Sequence, residues 1–193
     1  TLIIVATSGM PIYAKETGDK ANSFRYENGQ PIAKAVPFST LSPNAWKKID
    51  GKYYSGDGSV IEGAVAKGID VSHHQGTVDW KKAKEDGVEF AIIRCGFGMN
   101  QTKQDDAQWF NNVKGCEENN IPYGVYLYSY ADTVKKAQSE AEHVLRLIKG
   151  HTLAYPVYYD IEEKAVLNKL TAEQLGKIAA TFVNKVKAEG YQT

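Results

Sequence analysis

The chain has 193 residues, 23 basic and 23 acidic, a formal net charge of zero, and 42% hydrophobic residues. That length supports one ordinary domain with a real core, and the balanced charge offers no electrostatic footprint for nucleic acid or an anionic membrane surface. Twelve tyrosines bring flat apolar faces with hydroxyls, which suit sugar clefts as well as ordinary strands.

In chain order, Thr1 to Ala6 (TLIIVA) and Pro11 to Lys15 (PIYAK) come first. They read as the end of a signal-peptide apolar region with a small residue at a cleavage point after Ala14. The run is too short to span a bilayer. Export is the expectation, and a buried strand is the competing reading. Residues 15–45 are polar and mixed, with Pro31, Pro37 and Pro43 and no helical or strand period. They read as a linker or an extended wrap. Residues 46–67 read as a small aromatic hairpin, with Tyr53-Tyr54 and Val60-Ile61 flanking the turn signal Gly56-Asp57-Gly58.

From Gly68 the pattern becomes strand–helix alternation. Strands are predicted over Gly68 to Ser72, Glu89 to Gly96, Tyr123 to Tyr130 and Pro156 to Glu162. Helices are predicted over Asp79 to Asp86, Asp106 to Asn119, Thr133 to Lys149 and Thr171 to Glu189. Thr171 to Gln174 fits a capping box, and Gly87, Gly150 and Gly190 serve as stops. Four β-α units in a row argue for an α/β fold with a parallel sheet.

Alternation then assigns faces. Ile69, Val71, Ile93, Cys95, Val125, Leu127, Val157, Tyr159 and Ile161 take the helix side. Asp70, Arg94, Tyr126, Tyr128, Tyr130, Asp160 and Glu162 face the interior. Asp160 and Glu162 stand at i and i+2, which on a strand puts both carboxylates on one face with Cα atoms roughly 6.5–7 Å apart. Two acids so placed suit acid–base or nucleophilic work at a glycosidic bond. Arg94 is expected to pair with an inward acid. Asp105-Asp106 is expected to cap the next helix, and Trp80 and Trp109 to pack in the core. Adjacent His73 and His74, taken as extended, point apart and do not chelate a metal. Cys95 and Cys116 match neither a disulfide framework nor a zinc site. One bridge between them is conceivable in an exported protein, but a sheet-to-helix spacing of about 10 Å favours two free buried thiols.

The segments GIDVSHHQG (68–76), Asp79-Trp80, FAIIR (90–94), GVYLYS (124–129) and PVYYDIE (156–162) occur in this order. Together they resemble the lysozymes of glycoside hydrolase family 25, the N-acetylmuramidases. The resemblance covers residues 68–193. It implies a β/α barrel of irregular form, present here as its first four β-α units after the N-terminal linker and hairpin. It also implies hydrolysis of the β-1,4 bond from N-acetylmuramic acid to N-acetylglucosamine. By motif, Glu162 matches the general acid, Asp160 its partner carboxylate and Asp70 the acid on the first strand. Tyr128 lies in the segment supplying a cleft tyrosine, with Tyr126 and Arg94 beside it as expected substrate contacts. The family pattern adds an aspartate on a late strand that this sequence does not contain. Four units are half such a barrel, and a fifth strand would begin after Gly190, so the chain is expected to be part of a longer protein. The 46–67 segment is similar to one copy of an aromatic cell-wall-binding repeat.

In this chemistry Glu162 must hold a proton near neutral pH to protonate the leaving oxygen, and Asp160 is expected to stay ionised facing the anomeric carbon. Asp160 acts either as nucleophile or as support for attack by the substrate's 2-acetamido group, with net retention. No cofactor and no metal are called for. The expected partner is the peptidoglycan glycan strand, and the expected protein a secreted, cell-wall-associated bacterial monomer. A chitinase-like barrel glycosidase and a non-catalytic cell-wall binding protein remain as alternatives.

Overall fold

The computed structural model describes residues 46–193 together with the backbone of three short strands between Asn22 and Pro31. The expected signal-peptide remnant (1–14) and most of the expected linker (15–45) lie outside the described residues. Two compact units divide between Val65 and Ala66, and each has its own structure.

In the first unit, β1 (Asn22–Ser23), β2 (Tyr26–Glu27) and β3 (Gln30–Pro31) form an antiparallel sheet. This corrects the expectation of a strandless linker. Two-residue strands carry no period to detect, but Asn28-Gly29 between paired Glu27 and Gln30 is a strong hairpin signal. Then β4 (Lys47–Ile49) pairs with β5 (Lys52–Tyr54). Their two-residue turn, Asp50-Gly51, has positive φ at both positions, as a type I′ turn requires. The expected turn at 56–58 is also present: Tyr54 bridges Val60, and the Ile61 N–H donates to the Tyr53 carbonyl at 2.8 Å. Asp57 closes it, accepting from the Ser55 and Ser59 hydroxyls and the Ser59 N–H, which lower its pKa to about 2.

The second unit is a four-stranded parallel sheet. β6 (Gly68–Val71) leads through a 3-10 turn (His73–Gln75) to α1 (Trp80–Glu85). β7 (Phe90–Phe97) leads to α2 (Trp109–Glu118), and β8 (Tyr123–Tyr128) to α3 (Val134–Ile148). β9 (Val157–Asp160) is followed by α4 (Lys164–Leu167) and α5 (Ala172–Ala188). The strands lie in sequence order, β6-β7-β8-β9, all parallel. The N-caps fall where the sequence places them: Asp79 accepts from the Lys82 N–H, Thr133 from Lys136, and Thr171 forms the full capping box with Gln174. After Gly190 the chain returns to the edge of β9, where the Val157 N–H donates to the Gln192 carbonyl at 2.8 Å.

One face of the sheet is covered. α2 and α3 pack on β7, and α5 packs on β9. Ile69, Val71, Ile93, Cys95, Val125, Leu127 and Val157 are buried on that face with Trp80, Trp109 and Phe182, as alternation predicts. Tyr159 stacks on Phe182, centroids 3.9 Å apart. Cys95 and Cys116 are both buried and free, and burial pushes both thiols well up, so they act as small hydrophobes. Between Arg94 and Gly96 the ladder shifts register. A Cβ on Gly96 would stand 2.7 Å from His143 Cε1, so only glycine lets the buried histidine of α3 approach.

Candidate active site

The uncovered face carries Asp70, Ile92, Arg94, Tyr126, Tyr128, Tyr158 and Asp160, and the sheet register fixes their layout. Arg94 lies opposite Tyr126, Tyr126 opposite Tyr158, and Tyr128 opposite Asp160. Parallel strands spaced about 4.8 Å apart therefore gather these side chains toward their C-terminal ends.

The sequence predicts Glu162 on the last strand, but β9 stops at Asp160. Pairing ends where β8 ends, with the Ser129 N–H taking the Asp160 carbonyl at 2.9 Å. Glu162 lies exposed in the following loop, just before α4 and its N-cap Glu163. Alternation cannot distinguish the end of a strand from the loop that continues it, so the i, i+2 argument fails for Glu162. Proximity survives on other grounds. Glu162 acts electrostatically on both Asp160 and Asp70, so the three predicted acids do come together.

Asp160 is half-buried. Burial first, then Glu162 and Asp70, push its carboxyl up to about 6 against the pull of Arg94. Crowding by the surrounding protein also raises Asp70, where the Tyr126 hydroxyl and Arg94 pull down and Glu162 pushes up. Tyr126 donates its hydroxyl to Asp70, and burial raises the Tyr126 phenol so that it stays a donor. The sequence predicts an ionised Asp160 beside a proton-holding Glu162. In the structure Asp160 is itself drawn toward neutral pH, by burial first and by the neighbouring acids second. A carboxyl raised to about 6 can exchange a proton close to neutral pH.

Tyr128 donates to Glu163 at 3.2 Å, and the other Glu163 oxygen accepts the Ala165 N–H at 3.1 Å. Tyr128 and Tyr130 rings lie 5.2 Å apart, and Phe97 meets Tyr130 edge-on at 6.3 Å. These form an aromatic rim beside the acids.

Arg94 does pair with an acid, but the acid is Asp106, at 2.8 Å from Nε. Asp106 is buried rather than a helix cap; the N-cap of α2 is Gln108, without a side-chain cap. Burial alone would raise Asp106, yet His73, Arg94 and two backbone N–H groups bring it down to about 2. Asp105 turns the other way, to His143 at 2.8 Å and to Arg146. Burial raises Asp105, and Arg146 and His143 outweigh it, leaving the pKa lowered. The predicted capping role fails for Asp105, whose partners lie on α3; Asp106 still accepts the Gln108 N–H at the start of α2, but its other oxygen goes to Arg94 of β7 and His73 of the 3-10 turn. His73 and His74 are in a 3-10 turn rather than extended, and their rings pack 4.0 Å apart. Among the described residues no group of three His, Cys, Asp or Glu could hold a metal, and no helix is long and apolar enough to cross a membrane. Asp106, His73 and Glu163 are thus the site residues that sequence patterning does not single out.

Comparison with known proteins bears on this geometry. The profile of the Glycosyl hydrolases family 25 matches residues 69–193. The autolytic lysozyme of Clostridium acetobutylicum is 33% identical over 96 residues, half of this chain and 28% of that protein. The modular autolysin LytC of Streptococcus pneumoniae, solved in complex with a synthetic peptidoglycan ligand, superposes with a TM-score of 0.63 at 33% identity. That match covers 76% of this chain and 36% of LytC. A bacterial lysozyme from Streptomyces coelicolor shares the fold, with a TM-score of 0.56 at 23% identity over 66% of this chain and 59% of that one. The chain thus spans about a quarter to a third of the length of the first two relatives.

Proposed function

Because the chain belongs to the glycosyl hydrolases of family 25, we propose that the protein is a secreted, cell-wall-associated peptidoglycan hydrolase. It cleaves the β-1,4 bond from N-acetylmuramic acid to N-acetylglucosamine. The observation that carries the reading is the meeting of Asp70, Asp160 and Glu162 at the C-terminal ends of parallel strands, where β/α folds place their chemistry. The peptidoglycan ligand of the LytC complex supports the substrate class. The four sequence-ordered strands are read as consecutive units of the family's irregular β/α barrel, with residues 46–67 as a small accessory hairpin.

In this reading Glu162, exposed in the loop after β9, is the general acid and later the base. Asp160 works as the anion facing the anomeric carbon and supports attack by the substrate's 2-acetamido group, giving net retention. Asp70, held by Tyr126, adds negative potential beneath the ring. Tyr126 and Tyr128 line the cleft, and Arg94 offsets the gathered negative charge.

Glu162→Gln tests the assignment, because the amide is nearly isosteric but cannot donate the proton. Cell-wall turbidity clearing should slow on the order of 10²–10⁴-fold with the fold intact. Clearing at a wild-type rate would sink it.

A further inference from the structure

The carboxylate of Asp106 has no exposed surface, and the proposed reaction does not use it. One oxygen accepts from Arg94 Nε at 2.8 Å and from the His73 N–H at 3.0 Å, with His73 Nδ1 3.3 Å away. The other accepts the Gln108 N–H at 2.9 Å. An Arg94 Nη also contacts His73 Nδ1. His73 follows the strand that carries Asp70, and Arg94 is on the neighbouring strand. One buried carboxylate therefore ties the C-terminal ends of β6 and β7 around a single guanidinium. Arginine has a long side chain that loses much rotamer freedom when fixed. Here two of its nitrogens are held in place, and its Cζ lies over the Phe97 ring, 5.9 Å from the centroid.

From that fixed orientation the positive charge acts on Asp70 and on Asp160. The other groups facing these two carboxyls are Glu162, Tyr126 and the carboxyls themselves. Arg94 is the one cation acting on both among the described residues. An oriented charge held before the reaction begins needs no reorganisation during it.

We propose that Asp106 is a positioning residue: with His73 it holds the Arg94 guanidinium in one fixed orientation on the sheet face that carries Asp70 and Asp160. The proposal rests on the reading that Asp160 and Glu162 carry the reaction. Asp106 touches no reacting atom and acts through Arg94. Its anion is stabilised by three donors, Arg94 Nε and the His73 and Gln108 N–H groups.

The test is a double-mutant cycle of Asp106→Asn and Arg94→Gln in the protein, read on soluble peptidoglycan glycan chains. Asp106→Asn should lower kcat roughly tenfold or more with little change in KM, and should cause less than about a twofold further loss when Arg94 is already Gln. Both single variants should move the acid limb of the kcat profile to higher pH, because a cation that favours ionised Asp160 is lost or released. Arg94→Lys should resemble Asp106→Asn, since lysine keeps the charge but lacks the fork that is held. This variant also serves if Asp106→Asn does not fold. Additive losses, an unmoved or lowered acid limb, or wild-type kcat for Arg94→Lys would each overturn the proposal. Glu162→Gln is measured alongside. An active Glu162→Gln overturns the functional reading and this inference together, whereas an inactive one with an additive cycle overturns this inference alone.

Discussion

Replacing Asp160 with Asn should make the protein more stable above neutral pH while severely impairing its activity. The carboxyl is raised from an ordinary 3.8 to about 6, by burial first and then by Glu162 and Asp70. An acid whose folded pKa lies above its unfolded value is destabilised as an anion. Below pH 3.8 both states hold the proton and there is no penalty. As pH rises through 6 the folded state comes to carry the full cost of ionisation. That gap is worth about 3 kcal/mol at roughly 1.4 kcal/mol per pKa step. Water still reaches part of Asp160, and solvent screening reduces the figure to about 1–2 kcal/mol. Each kcal/mol moves the midpoint of a domain this size by roughly 3–5 °C. The Asn variant should therefore melt about 3–10 °C higher at pH 8 and gain little at pH 4. Calorimetric melts at both pH values in low salt, with cell-wall clearing assayed in parallel, give the comparison. A midpoint at or below wild type at pH 8, or an equal gain at both pH values, would refute the idea that the fold holds these carboxylates together against their repulsion.

Hydrolysis that needs ionised Asp160 should have an acid limb near pH 6, falling about tenfold per pH step below it. A flat profile between pH 7 and 5 would contradict this. Glu140 is buried under the rim and accepts from the Ser129 and Tyr159 hydroxyls at 2.8 and 2.6 Å and from the Tyr130 N–H at 2.9 Å. Glu140→Ala strands these donors and should cost about 3 kcal/mol or more in denaturant melts, and Glu140→Gln clearly less. Two helical glycines should respond oppositely to alanine. A Cβ on Gly115 would stand 2.0 Å from Trp80 Cδ1, whereas Gly176 has nothing within 4 Å. Gly115→Ala should therefore destabilise by about 1–3 kcal/mol, and Gly176→Ala should stabilise by roughly 0.5–1 kcal/mol, both read from melting midpoints.

Local patterning carried most of the fold. Alternation in GIDV, AIIRC and YGVYLY assigned the buried face of each strand, because a side-chain period of two is a property of the backbone alone. The caps at Asp79, Thr133 and Thr171 were legible because a cap satisfies N–H groups two or three residues away. The Asp50-Gly51 turn was equally legible in principle, being an Asp-Gly pair, but the neighbouring Gly56-Asp57-Gly58 took its place in the reading. The convergence of Asp70 and Asp160 follows from a parallel sheet whose strands run in sequence order, and the loop after β9 brings Glu162 to them.

Sequence alone determined the strand–helix order, the core faces, the caps at Asp79, Thr133 and Thr171, and the shared face of Asp70 and Asp160. Each of these depends on residues within a few positions of one another or on strand direction. Tertiary structure alone decided where β9 ends, that the Asp160 carboxyl is raised to about 6, and that Asp105 and Asp106 turn carboxylate oxygens to His143, Arg146, His73 and Arg94. Those outcomes turn on burial and on partners 12 to 41 residues away. An aspartate has the same local preferences whether it caps a helix or pairs with a distant cation, and only packing brings the cation within 3 Å.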